Sequence, residues 1–156
     1  MKKVAVFWGW IVIGLVAGCA TLTPPGPSTS PLQSPVATPA PEEVIIKFHR
    51  SGGITARDET WTVYGDGKVE YVGNGTGQDG RLAPDRIAAL IEAARAAGFA
   101  TMQDSYVPAD TCCDRFYYEL TITLDGRPKT VRTLDAAPDQ PPALTNLLAV
   151  IDETMK

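Results

Sequence analysis

Two neighbouring cysteines, Cys112 and Cys113, sit in "PADTCCDRFYYEL" directly before an aromatic run, in a chain of 156 residues with three cysteines in all. Adjacent thiols can bond to each other, stay as free buried thiols, or take up redox or metal-capturing work. Few other residues have the type and spacing for chemistry. His49 is the one histidine, and it stands in a strand-like alternation away from any serine or cysteine motif it could activate. A zinc site wants four nitrogen or sulfur ligands, whereas Cys112, Cys113 and His49 come from distant segments. Asp104, Asp110 and Asp114 crowd the stretch before Phe116; they could form an acid–base pair, but they lack the spacing of a calcium loop. The glycine-rich "GNGTGQDG" (73–80) does not pass straight from a strand into a helix, so it reads as a mobile connection rather than a phosphate loop. These readings assign no catalytic residue, no metal and no cofactor.

The third cysteine bears on where such thiols would live. The chain begins MKK, continues without charge from Val4 to Gly18, and ends that run in "LVAGC". A basic start, an apolar middle and small residues before Cys19 resemble a bacterial lipoprotein signal peptide covering residues 1–18. The resemblance implies cleavage before Cys19, a diacylglycerol thioether on its sulfur and acylation of the new N-terminus. Fifteen apolar residues are short of the roughly 20 that span a bilayer. Two or more acyl chains anchor stably where one does not, so the expected location is the cell envelope, on the membrane and facing outside the cytoplasm.

Residues 19–41 join the lipidated cysteine to a proline-, serine- and threonine-rich linker. From Ala20 to Pro41 there is no charged residue and there are seven prolines, a composition that cannot bury enough apolar surface to order itself. At about 3.1 Å per residue in the polyproline conformation, it could reach on the order of 60 to 70 Å. Residues 42–156 remain as one domain, large enough for a single core. Without Lys2 and Lys3, 12 basic residues face 18 acidic ones, so nucleic acid is not an expected partner.

The elements that must position any site follow from periodicity. "EEVIIKFHR" alternates Val44, Ile46 and Phe48 against Ile45, Lys47 and His49 and predicts a strand. "ETWTVYGDGKVEYVG" predicts two strands joined at Asp66 and Gly67, with a type I′ turn. "LAPDRIAALIEAARAAGF" predicts a helix starting at Pro84 and capped by Gly98, with Ile87, Leu90, Ile91 and Ala94 as its apolar stripe. "FYYELTITL" alternates cleanly and leads through Asp125 and Gly126 into "KTVRTL". A final helix after Pro141 and Pro142 carries Leu144, Leu147, Leu148, Ile151 and Met155. The expected fold is α+β, an antiparallel sheet of about five strands in the order βββαββα with two amphipathic helices on one face.

"RSGG" (50–53) straight after the first strand, then "DRFYYEL" (114–120), a hairpin, "TVR" (130–132) and a leucine-rich last helix together resemble the emfourin family, small protein inhibitors of thermolysin-like metalloproteases. The resemblance spans most of residues 44–154, including a helix ending near Phe99. The lipoprotein signal, the proline linker, the glycine-rich loop and the cysteine pair depart from that pattern. The resemblance implies a thermolysin-like metalloprotease as partner, and inhibition asks for a loop that enters the cleft uncut. "RSGGITAR" supplies the candidate contacts Arg50, Ser51, Gly52, Gly53, Ile54, Thr55 and Arg57, with Gly52 and Gly53 allowing close backbone approach. The same glycines could instead serve only a tight turn. An alternative reading is an envelope module that binds another protein or a glycan on the same scaffold. In a compartment outside the cytoplasm, Cys112 and Cys113 would have each other as the intrachain partner, stiffening the loop 103–114.

Overall fold

The computed structural model describes residues 42–156; the signal segment 1–18, Cys19 and the rest of the linker segment 19–41 lie outside the described residues. The described chain is α+β. Its strands are β1 (Val44–Gly52), β2 (Arg57–Tyr64), β3 (Lys68–Gly73), β4 (Gly80–Arg81), β5 (Ser105–Tyr106), β6 (Phe116–Leu124) and β7 (Arg127–Leu134). Helix α1 (Pro84–Ala96) follows β4, and α2 (Pro142–Thr154) closes the domain.

The strands form one seven-stranded sheet in the order β4-β3-β2-β1-β6-β7-β5. Five of them are the predicted ones, and their pairings are antiparallel. The two edge strands correct the expectation of about five strands in the order βββαββα, and β5 runs parallel to β7, so the sheet is mixed. Both edges are two residues long. A strand that short leaves no alternation to detect, and its place depends on a neighbour distant in sequence.

Inward residues of the long strands, Ile46, Phe48, Trp61, Val63, Leu120, Ile122 and Val131, form one cluster with Leu90 and Ala94 of α1 and Leu144, Leu147, Leu148 and Ile151 of α2. Each helix begins with a proline in its first turn, where a missing N–H costs nothing, and Gly98 turns left-handed after α1 at φ +69°. Phe99, in the short 3₁₀ turn beyond, is fully buried.

Two local expectations change. Val44 is 38% exposed and Ile45 is buried, because the β1–β2 register shifts between Val44 and Ile46. This bulge adds one residue to β1 and reverses the alternation ahead of it. At the first hairpin Gly67 alone has positive φ, and its N–H bonds to the Tyr64 carbonyl, which makes a longer loop than the type I′ turn expected at Asp66 and Gly67. At the second hairpin Asp125 and Gly126 both have positive φ between the paired Leu124 and Arg127, as a two-residue type I′ turn requires.

Ile151 is fully buried and its neighbour Val150 is 44% exposed. Ile151→Ala is expected to remove about 2–5 kcal/mol of unfolding free energy. Val150→Ala should stay within about 0.5 kcal/mol. Urea denaturation measures both, and equal losses would contradict the placement of this helix face.

Candidate functional site

One end of the sheet collects the candidate residues, and its geometry begins with parity. Arg50 falls on the same face of β1 as Ile46 and Phe48, and Glu59 on the same face of β2 as Trp61 and Val63. The register sets Arg50 directly between Glu59 on β2 and Tyr118 on β6. A cation and an anion thus face the helices at adjacent inward positions. Arg50 donates from Nε and Nη2 to Glu59 Oε2 at 3.1 and 2.6 Å, and from Nη1 to Asp152 Oδ1 of α2 at 2.6 Å. Its guanidinium lies 5.5 Å from the Trp61 ring centroid and 5.4 Å from that of Phe116, within cation–π range.

Glu59 is 1% exposed and its other oxygen accepts from Arg57 Nη1 and the Tyr71 hydroxyl, both at 3.2 Å. Burial by itself would push this carboxyl up, but the hydrogen bond and charge of Arg50, with Tyr71 and Arg57 behind them, hold it below the usual glutamate range. The same carboxylates, Glu59 and Asp152, keep Arg50 protonated against its own burial. Arg57 and Lys156 border an open groove of about 310 Å³ above this cluster.

The turn between β1 and β2 stands at the same end. Arg50, Ser51 and Gly52 belong to β1 and Arg57 opens β2, so the connecting residues are Gly53, Ile54, Thr55 and Ala56. The Ala56 N–H closes the turn on the Gly53 carbonyl at 3.0 Å, and Ile54 projects from it 85% exposed. Gly52 and Gly53 have φ of +100° and +69°, which glycine adopts without steric cost. Their lack of Cβ also serves contacts within the domain. A Cβ at 52 would lie 2.5 Å from the Arg115 carbonyl oxygen, and one at 53 would lie 2.7 Å from the Phe116 ring.

Neighbouring segments hold the turn from two sides. Gly53 N–H donates to the Arg115 carbonyl at 3.1 Å. Across the turn, Asn74 Nδ2 donates to the Ala56 carbonyl and Asn74 Oδ1 accepts the Asp58 N–H, both at 2.9 Å. Gly75 N–H reaches the Tyr71 hydroxyl and Tyr71 N–H reaches Asp79. The glycine-rich segment expected as a mobile connection is therefore a bonded strap over β2 and β3. Side-chain bonds from Asn and Asp give it order that periodicity cannot show.

Ahead of β6, Cys112 and Cys113 are bonded to each other and both are exposed. Cys113 has φ +73°. Arg115 spans this loop, donating to the Asp110 carbonyl at 2.9 Å and to the Asp135 carbonyl at 3.2 Å. The acids do not converge: Asp104 pairs with Lys129, Asp110 accepts the Cys112 N–H, and Asp114 lies exposed. His49 points its Nε2 at Asp58 Oδ1, 2.9 Å away. Among the described residues no group of His, Cys, Asp and Glu is arranged to hold a metal ion, and no helix is long and apolar enough to cross a membrane.

Of the seven contact candidates, Ile54 and Thr55 are exposed, Ser51, Gly52, Gly53 and Arg57 are half-buried, and the Arg50 side chain is 13% exposed within the ionic cluster. Glu59, Tyr71, Asn74 and Asp152 were not legible as members of this end. A signal did exist for Glu59, which shares the strand parity of two large apolar residues. No protein-family model matches the chain, and a comparison with curated proteins finds no match either.

Removing Arg50 leaves a buried carboxylate without its main partner. Arg50→Met is expected to cost about 3–5 kcal/mol, and adding Glu59→Leu should recover a large part of it. Urea melts of the four proteins in the cycle decide this; a double variant as weak as the sum of the singles would contradict direct coupling. The folded pKa of Glu59 is below the unfolded one, so the unfolded chain binds the extra proton as pH falls. The stability Glu59 contributes is complete above its unfolded value of about 4.3 and is lost as pH falls through the lower folded value. Glu59→Gln should flatten that acid limb.

Proposed function

We propose that the domain is a binding module held on a lipid-anchored stalk, and that the end bearing residues 53–56 enters the cleft of a thermolysin-like metalloprotease and inhibits it. The supporting observation is the turn itself: Ile54 stands 85% exposed on a backbone bonded to Arg115 on one flank and Asn74 on the other. A loop that keeps its bound shape in the free protein gives up less conformational entropy on docking. A central apolar anchor among near-neutral contacts is the usual energetic form of such an interface. The order of "RSGG", "DRFYYEL", "TVR" and the last helix supports the emfourin-like assignment of the scaffold.

Within this reading the contacts are redistributed. Gly53, Ile54 and Thr55 meet the protease, Arg57 flanks them with its side chain 33% exposed, and Ser51 and Gly52 carry the turn. Arg50 supports from below through the ionic cluster. No catalytic residue and no cofactor are assigned. Cys19 carries the lipid, and the proline-rich segment after it holds the domain away from the bilayer.

The test is titration of a soluble form starting at residue 20 against a thermolysin-like protease cleaving a fluorogenic peptide, after preincubation. Saturable inhibition at one domain per protease is expected, and Ile54→Asp should weaken it by about 30-fold or more with unchanged melting. Absence of inhibition of several such proteases by folded, uncut domain would overturn the protease reading and direct the search to other envelope partners. In cells, Cys19→Ser should move the protein out of the membrane fraction.

A further inference from the structure

The cysteine loop and the exposed turn share a backbone joint. Cys112 and Cys113 are bonded neighbours at the surface, and two residues later the Arg115 carbonyl receives the Gly53 N–H at 3.1 Å. The same oxygen lies 2.5 Å from where a Cβ on Gly52 would sit, and the Phe116 ring covers Gly53. Between the cysteines and that joint, Cys113 has φ +73°, a region that a residue with a Cβ visits rarely. Closing a ring between neighbours removes the freedom to leave it. With the ring open, no covalent bond holds Cys113 in that region, and Asp114 and Arg115 are the next residues of the chain.

We propose that the Cys112–Cys113 disulfide is a reversible redox site whose oxidised form locks Arg115 and Phe116 under the 53–56 turn, and whose reduction releases that turn. The co-reactant is a dithiol. One of its thiolates attacks one of the two sulfurs, forming a mixed disulfide and expelling the other cysteine as a thiolate. The second thiol of the reductant then displaces the first cysteine. Two electrons enter the protein, Cys112 and Cys113 end as thiols with two protons taken up, and the dithiol leaves as a disulfide. Exposure of both residues gives the reductant access.

A bond between neighbours closes almost no chain, so it constrains the unfolded state little compared with a bridge across a long loop. The hydrogen bonds and ion pairs of the Arg50–Glu59–Asp152 cluster do not involve the cysteines, and the cluster meets this segment at the Phe116 ring, 5.4 Å from the Arg50 guanidinium. Reduction therefore acts on the turn and leaves global unfolding in place, as local openings do. As control of docking, this inference rests on the reading of the turn as the contact surface. As coupling inside the domain, it is measured without any protease, so the two fail separately.

The experiment is hydrogen exchange resolved to single amides on the full-length chain in detergent, oxidised and then treated with dithiothreitol. Thiol alkylation and intact mass before and after establish the redox state. The oxidised chain is expected to take no alkylating reagent on Cys112 and Cys113 and the reduced chain to take two groups. The Gly53 amide should exchange about tenfold faster or more on reduction, while the β1 amides facing the middle of β6 and the melting temperature stay constant. The C112S/C113S chain should behave like the reduced form under oxidising conditions, which removes reductant effects as a cause. Two alkylated cysteines without reductant, or equal Gly53 exchange in the two states, would overturn the proposal.

Discussion

Glu59 places a carboxylate where 1% of its surface meets water, and its charge persists there because Arg50 on the neighbouring strand donates two hydrogen bonds to it. An ionised carboxylate buried alone would cost several kcal/mol, so the geometry of this pair constrains everything that touches it. Arg50 reaches onward to Asp152 and so ties the end of α2 to the sheet. Tyr71 and Arg57 complete the acceptor capacity of Glu59, which draws β3 and the start of β2 into the same arrangement. Buried pairs of this kind add little net stability compared with apolar side chains of the same volume. A slip of one residue between β1 and β2 would put the two charges on opposite faces of the sheet.

The β1–β2 turn gains its form from that fixed register. With Arg50 opposite Glu59, Gly52 pairs with Arg57 on one side and Phe116 on the other, and four residues remain to close the connection. The strap from Gly73 to Asp79 and the loop before β6 then bond to the turn from its two flanks. Within the turn, the large apolar side chain left in solvent is Ile54, supported by backbone that is already paired. A flexible loop of the same composition would have to order on any docking, whereas the backbone of this one is already held by hydrogen bonds.

The long periodic segments were legible because their signals are local. "FYYELTITL" shows a strand by strict alternation, and Leu144, Leu147, Leu148 and Ile151 show a helix face, all four buried as that pattern requires. The short edges β4 and β5 escaped because two residues carry no period and their pairing depends on partners far along the chain. The bulge at Ile45 escaped for a related reason: an extra residue in one strand is visible only against the strand beside it. Arg50 was legible as a neighbour of the glycine pair but not as the partner of Glu59. Charge at an inward strand position becomes meaningful only once the opposite strand is in register, when Arg50 and Glu59 each explain the burial of the other.

The docking surface proposed for the domain is its turn end. A ¹⁵N-labelled chain titrated with an inactivated thermolysin-like protease tests it most directly, by recording which amide signals move. Changes are expected at residues 53–57, 74–76 and 113–116, with α1 and the open face of the sheet undisturbed. Changes centred on the open sheet face or on the helices, with the turn unaffected, would contradict it.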